Sequence, residues 1–178
     1  MKPFLFETIL TIIGDAKCAF IGEVGTHKGG TAKQFINHFA AKVEQLTYYG
    51  YDIFDGENAS EEFHKQERNG KAPATILAAE RTLTKIRKKH KNVTYKLHKG
   101  FTTDTMSPTK FDFVYIDGGH SYDTVKHDYS MVKDSTLIVF DDVKIKAINV
   151  FIKELIAEGV DVEIVRTESK HTWAVIRN

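Results

Sequence analysis

The sequence contains few residues that cross-link or interrupt a chain. Cys18 is the only cysteine among 178 residues, and there are three prolines. A single cysteine excludes a disulfide within the chain and a zinc site built from several cysteines. The cysteine content therefore favours a reducing, cytoplasmic setting.

Neither sign of charge is in excess, and no hydrophobic run is long enough for a membrane span. Lys and Arg number 25 and Asp and Glu number 24, so the formal net charge is +1. Dedicated nucleic-acid binders usually carry a large basic excess, so no nucleic-acid partner is expected. The apolar opening of the chain is interrupted by Glu7 and is too short to cross a bilayer. We therefore expect no membrane partner and interpret residues 1–14 as an amphipathic helix.

No internal repeat, low-complexity tract or linker divides the chain, so residues 1–178 are interpreted as a single domain. Strand-length apolar runs alternate with segments of helical period, which predicts an α/β protein with a mostly parallel sheet covered on both faces. The predicted strands are 19–23, 46–52, 93–97, 111–117, 136–141, 160–166 and 171–176. The predicted helices are 31–43, 72–90, one that contains Tyr122 and Tyr129, and one that contains Ile148 and ends at Gly159.

The last two predicted strands break the alternation. Only residues 167–170 separate them, whereas two parallel strands need a crossover of a dozen or more residues. If these two strands pair, they must run antiparallel. The sequence therefore predicts a doubly wound sheet of seven strands, in which six are parallel and the last is reversed.

Polar or glycine residues follow most of the predicted strands. In open α/β sheets the ligand binds beyond the carboxyl ends of the strands, which meet at one edge. A purely structural interpretation is that these residues end strands and cap helices. Their occurrence at five strand ends favours a ligand site instead. They are Glu23, Gly25, Asp52, Gly100, 117–120 and 141–142.

The turn after the first strand reads EVGTHKGGTA, and its glycines suit a tight connection close to a ligand. It is not a phosphate loop, because Thr31 stands where that motif needs lysine. It is not a dinucleotide fingerprint, because His27 occupies the position of the second glycine. Asp52, at the end of the second strand, is placed to accept hydrogen bonds from a ribose diol.

With these residues the chain resembles the class I S-adenosylmethionine-dependent methyltransferases over nearly its whole length, including the reversed seventh strand. The resemblance implies a Rossmann-like fold and S-adenosylmethionine as cofactor. It also places Glu23 and Gly25 beside the methionine part and Asp52 at the ribose. The missing central glycine departs from the commoner motif, and the G-x-x-x-G-G variant resembles small-molecule O-methyltransferases. The cofactor-binding residues so implied are Glu23, Gly25, Gly29, Asp52, Gly100, Thr102, Thr103 and Asp117, with the two threonines near the adenine.

Three carboxylates, Asp117, Asp141 and Asp142, follow what should be neighbouring strands. Carboxylates that converge repel one another unless a cation or a proton is present, and oxygen ligands of this kind suit Mg²⁺. The layout is similar to that of catechol-type, metal-dependent O-methyltransferases, in which a basic residue sits three positions after the first ligand. Here that position is His120. The open alternatives are that Asp142 caps the next helix and that His120 only hydrogen-bonds its own loop.

These observations predict an enzyme that methylates an oxygen of a small molecule with Mg²⁺ assistance. Asp117, Asp141 and Asp142 would be the metal ligands, and His120 and Asp117 the catalytic residues, with His120 as base. One alternative is a metal-independent methyltransferase of the same fold. Another is a cofactor-binding domain without catalytic activity. Specificity would come from a lid at residues 54–71, the N-terminal helix, or the partner subunit of a homodimer.

Overall fold

The computed structural model describes residues 7, 9, 11, 17–54, 74–166 and 172–178. Glu7, Ile9 and Thr11 are helical. The rest of the predicted N-terminal helix 1–14 lies outside the described residues, as does the predicted lid 54–71 apart from Phe54. Among the described helices, none combines the length and apolar character that crossing a membrane requires.

Beyond these helical residues near the N-terminus, the described chain forms seven strands and five helices. The strands are β1 (Cys18–Val24), β2 (Gln45–Asp52), β3 (Val93–Lys99), β4 (Phe113–Ile116), β5 (Leu137–Phe140), β6 (Val162–Arg166) and β7 (Thr172–Arg177). The helices are α1 (Gly30–Phe39), α2 (Ile76–Lys89), α3 (Thr102–Thr105), α4 (Tyr122–Val132) and α5 (Lys146–Ala157).

All seven strands form one sheet in the order β3-β2-β1-β4-β5-β7-β6. The pairs among β1 to β5 are parallel, whereas β7 runs antiparallel to both β5 and β6. The predicted seven-stranded sheet with six parallel strands and a reversed last strand is therefore confirmed. It is the Rossmann-like arrangement, with its carboxyl edge formed by the ends of β1 to β5.

Two clusters of buried side chains pack on the two faces of the sheet, because successive strand residues point to opposite sides. On one face, α1 and α2 contribute Phe35, Ile36 and Leu83. On the other face, α4 and α5 contribute Val125 and Phe151. The sheet is thus covered by helices on both faces, as predicted.

Several predicted boundaries were wrong at the ends of elements. The helix predicted to reach Val43 ends at Phe39, because the side-chain amide of Asn92 donates to the carbonyls of Ala40 and Val43 at 2.7 and 2.9 Å and holds the chain in a turn. The one-turn helix α3 was not predicted, since four residues carry no periodic signal. Gly159 follows α5 in the left-handed conformation, with φ 89°. This agrees with the prediction that the helix ends at Gly159.

Candidate active site

A cavity of about 300 Å³ opens at the carboxyl ends of β1, β2 and β4. β1 and β4 are neighbours in the sheet, so the cavity lies at the point where the strand order reverses. A cavity of this size can accommodate a small-molecule ligand. The residues that line it are Val24, Gly25, Thr26, His27, Gly30, Thr31, Tyr51, Asp52, Ile53, Gly100, Phe101, Thr102, Asp117, Gly118, Gly119, His120, Thr124 and Asp128.

Gly25 brings the turn after β1 against the turn after β4. Its φ is +90°, a conformation that disfavours any residue with a Cβ. A Cβ at this position would lie 1.9 Å from the carbonyl oxygen of Asp117. The Gly25 N–H donates to the carbonyl of Tyr51 at 2.8 Å, and the Asp117 N–H donates to that of Val24 at 2.9 Å. Three strand ends are thereby fixed at one rim of the cavity.

Asp52 forms another part of the rim and holds two backbone segments in place. One carboxylate oxygen accepts the N–H of His27 at 2.8 Å, and the other accepts the N–H of Phe54 at 2.8 Å. His27 and Phe54 both have positive φ, 51° and 43°, which is uncommon for residues other than glycine. The Asp52 carboxylate therefore stabilises two strained turns and also lines the cavity.

Because the resemblance implies S-adenosylmethionine as cofactor, the probe is its product form, S-adenosylhomocysteine. We expect Asp52→Ala to weaken its binding roughly 10- to 100-fold, about 1.4 to 2.7 kcal/mol, because the substitution removes acceptors at the cavity and releases both turns. Isothermal titration calorimetry measures this affinity. Asp112→Ala is the matched control, since Asp112 also accepts a backbone N–H, from Phe20 at 2.7 Å, but does not line the cavity. Equal affinity of the two variants for S-adenosylhomocysteine would show that Asp52 is not part of the binding site.

Glu23, predicted beside the cofactor, lies beneath the cavity and does not line it. Its side chain is buried, with 1% exposed, and accepts a short hydrogen bond from the Tyr48 hydroxyl. The Tyr48 hydroxyl also lies 3.2 Å from that of Thr26, which does line the cavity. Burial and the neighbouring Glu23 carboxylate raise the pKa of Tyr48 well above its ordinary value, so its hydroxyl keeps its proton. Glu23 is thus linked to the cavity through the Tyr48 hydroxyl and Thr26.

Asp117, His120 and Asp142 form a cluster beside the cavity that could hold a metal ion. One potential ligand atom from each lies within 4.8 Å of those of the others. His120 Nε2 lies 3.2 Å from Asp142 Oδ2, and the histidine is 6% exposed. Metal–oxygen bonds of about 2.1 Å place opposite ligands about 4.2 Å apart, so the spacing suits one ion. The donor set of two carboxylates and an imidazole fits a divalent cation.

Asp141, predicted as a third ligand, is not part of this cluster of described residues. Its Oδ2 accepts a hydrogen bond of 2.5 Å from the Tyr115 hydroxyl, and its Oδ1 accepts the N–H of Asp142 at 2.8 Å. His120, predicted as a base, is the third member instead. The sequence prediction placed the two strand ends together correctly but could not assign which of two adjacent carboxylates faces His120.

The predicted cofactor residues fall into two groups. Gly25, Asp52, Gly100, Thr102 and Asp117 line the cavity. Glu23, Gly29 and Thr103 do not: Gly29 is the residue before α1, with φ +76°, and the Thr103 hydroxyl donates to Asp104 at 3.4 Å.

Sequence reasoning missed Asp128, a fully buried residue that lines the cavity from α4. The signal was present in the helical pattern. Asp128 is the one charged member of the buried helix face that Val125 and Val132 also form. A carboxylate at a core position is uncommon unless the fold or the ligand requires it.

A family model described as a methyltransferase domain matches residues 23–143, more than half of the chain. The match begins at Glu23 and ends just after Asp142, so it includes every strand end that lines the cavity. Comparison with curated proteins gives no significant match.

Several solved structures with similar folds are described as methyltransferases, and the following three have low sequence identity to this chain. One is described as a class I S-adenosylmethionine-dependent methyltransferase from Listeria monocytogenes, with TM-score 0.66 and 9% identity; the match covers 98% of this chain and 58% of that one. The precorrin-6y C5,15-methyltransferase of Geobacter metallireducens has TM-score 0.58 and 14% identity, with 100% and 89% covered. A Podospora anserina methyltransferase bound to S-adenosylhomocysteine has TM-score 0.56 and 15% identity, with 100% and 80% covered.

Proposed function

The chain belongs to the methyltransferase-domain family, within the class I S-adenosylmethionine-dependent methyltransferases, and from this premise we propose that it methylates an oxygen atom of a small molecule with the help of a divalent cation. The observation that carries the proposal is the cluster of Asp117, His120 and Asp142 at the side of the cavity. It combines ligands for a cation with a group that can accept a proton.

The cavity suits the methyl donor in charge and in shape. Among the described lining residues there are three aspartates, Asp52, Asp117 and Asp128, and neither Lys nor Arg, so the walls favour a cationic sulfonium over a phosphate. At Gly30, at the start of α1, no atom lies within 4 Å of where a Cβ would be, which leaves room for a ligand. The donor would lie along this rim, with Asp52 accepting from its ribose.

Asp117 and Asp142 would hold the cation, with His120 as a further ligand or as the base. When bound, the cation supplies Lewis-acid polarisation of the acceptor hydroxyl, which makes its proton easier to remove. Mg²⁺ prefers oxygen ligands, and an imidazole ligand would favour Mn²⁺ or another transition metal. The two assignments of His120 therefore predict different metal preferences.

When bound, S-adenosylmethionine supplies an electrophilic methyl group on its sulfonium. The residues of this chain then have two tasks, which are to align the acceptor oxygen and to take its proton. His120 would receive the proton on Nδ1, because its Nε2, 3.2 Å from Asp142 Oδ2, would donate its own N–H to that carboxylate. Asp142 would thereby stabilise the imidazolium that forms. The turns that contain Gly25 and Asp117 are closely packed, so neither backbone segment can move without the other. This packing would hold the methyl donor and the acceptor in fixed positions.

A second candidate function keeps the fold and the donor but uses no metal. The contact between His120 and Asp142 favours it, because a carboxylate partner can orient and support a histidine base without a cation. The acceptor atom could then be oxygen or nitrogen.

Metal removal distinguishes the two candidates. With isotopically labelled S-adenosylmethionine and a panel of phenols, catechols and sugars, we expect methyl transfer that EDTA reduces at least about tenfold and that Mg²⁺ or Mn²⁺ restores. S-adenosylhomocysteine affinity, measured by calorimetry with and without EDTA, should change by less than about twofold. Transfer that EDTA leaves unchanged would exclude the metal-dependent mechanism and favour the His120–Asp142 pair acting alone.

A further inference from the structure

The buried Tyr115 and the half-buried Asp141 form a hydrogen-bonded pair beside the proposed cation cluster. We propose that Tyr115 is a positioning residue, an inference that rests on the proposed function. Its hydroxyl orients Asp141 so that Asp141 supports Asp142 and does not itself bind the cation. Asp141 would then shape the site through the backbone, and Asp142 alone would supply the carboxylate from the end of β5.

The first step in this arrangement is the orientation of Asp141 by Tyr115. Tyr115 lies on β4, is 4% exposed, and packs edge-on against Phe35 with ring centroids 5.5 Å apart. Its hydroxyl donates to Asp141 Oδ2 at 2.5 Å. One carboxylate oxygen of Asp141 is thereby turned toward the core.

The second step is the support of Asp142 by Asp141. Asp141 Oδ1 accepts the N–H of Asp142 at 2.8 Å. Asp142 has φ +53°, a left-handed conformation that is uncommon for residues other than glycine. Its carbonyl accepts the N–H of Ile145 at 2.8 Å, which closes the turn. Together these two hydrogen bonds hold Asp142 in the left-handed conformation.

The third step is the position of the Asp142 side chain. In the strained turn, Asp142 Oδ2 lies 3.2 Å from His120 Nε2 and within reach of Asp117. If the turn relaxed to negative φ, the Cβ of Asp142 would change direction and its carboxylate would leave the cluster. Groups that orient metal ligands typically change metal affinity 10- to 100-fold when they are removed.

We therefore expect Tyr115→Phe to weaken Mn²⁺ binding about 10- to 100-fold, because only the hydroxyl is lost and the ring still packs against Phe35. The measurement is calorimetric titration of the folded protein with Mn²⁺ alone, with S-adenosylhomocysteine affinity as a second readout that should change less than about twofold. Tyr95→Phe is the matched control: its hydroxyl pairs with Thr84 at 2.9 Å, away from the cavity, and Mn²⁺ affinity should stay as in the parent.

A pair of aspartate variants keeps the proposal testable if Tyr115→Phe does not fold. An amide oxygen at position 141 can still accept the Asp142 N–H, so Asp141→Asn should retain most of the Mn²⁺ affinity while Asp142→Asn should lose it. Equal losses in these two variants, or unchanged or tighter Mn²⁺ binding in Tyr115→Phe, would overturn the support role. A parent protein that binds no Mn²⁺ would instead overturn the proposed metal-dependent function.

Discussion

Replacement of His120 by alanine is expected to lower kcat by about a hundredfold or more, because no other side chain of the Asp117–His120–Asp142 cluster can accept a proton as readily at neutral pH. His120 is the only imidazole in this cluster of described residues, and its Nε2 lies 3.2 Å from Asp142. Donor affinity should change less than kcat, since the Gly25 turn and the Asp52 carboxylate, which also line the cavity, are left unchanged. The measurement is steady-state methyl transfer under saturating donor and acceptor.

Two further variants separate proton transfer from positioning. His120→Gln keeps a polar side chain of similar reach, so it restores activity only if the imidazole does not act as a base. His90→Ala removes an imidazole that pairs with Asn37 at 2.9 Å, away from the cavity, and should leave kcat unchanged. The assignment would fail if the parent enzyme had a flat pH–rate profile, or if His120→Gln retained the full rate.

Gly25→Ala is expected to lower the free energy of unfolding by on the order of 4 kcal/mol or more and to abolish S-adenosylhomocysteine binding. The added Cβ would lie 1.9 Å from the Asp117 carbonyl oxygen, and both atoms belong to backbone that hydrogen bonds hold in place. The substitution must therefore separate the turns after β1 and β4. Urea unfolding and calorimetric titration measure the two effects.

Gly159→Ala provides the control for backbone strain. Gly159 has φ 89°, nearly the same as the 90° of Gly25, but no atom lies within 4 Å of its Cβ position. Alanine there should cost only the conformational strain, about 1 to 2 kcal/mol, and leave ligand affinity intact. The difference between the two variants measures the close approach of Gly25 to Asp117. Similar losses of stability would mean that the two turns are not tightly packed.

The fold and the rim of the site followed from the sequence because both depend on patterns of residue type. Apolar runs, short turns and the four-residue gap before the last strand were sufficient for the sheet and its reversed strand. Parallel strands end at one edge, so Asp52, Asp117, Asp141 and Asp142 had to lie along the same rim. The sheet order confirms the predicted fold.

The identities of the contacts could not be predicted, because they depend on backbone conformations that the sequence does not mark. The positive φ of Asp142 determines that this residue, and not Asp141, faces His120. The buried Glu23 carboxylate accepts a hydrogen bond from Tyr48 on the adjacent strand β2, a contact between residues 25 positions apart in the sequence. Asp128 reaches the cavity through the register of α4 against β4, which a helical pattern alone leaves undefined.

The position of β7 has a consequence for the order in which the molecule is assembled. β7 follows every other described strand in the sequence, yet it inserts between β5 and β6 and is the pairing partner of both. Until β7 pairs with them, the edge of β5 that faces away from β4 has unsatisfied amide and carbonyl groups, and β6 has no neighbour within the described sheet. The rim that carries Asp117 and Asp142 belongs to strands that can pair earlier. During synthesis on the ribosome, strands β1 to β5 can therefore pair before β7 has been made, whereas β6 can join the sheet only after β7.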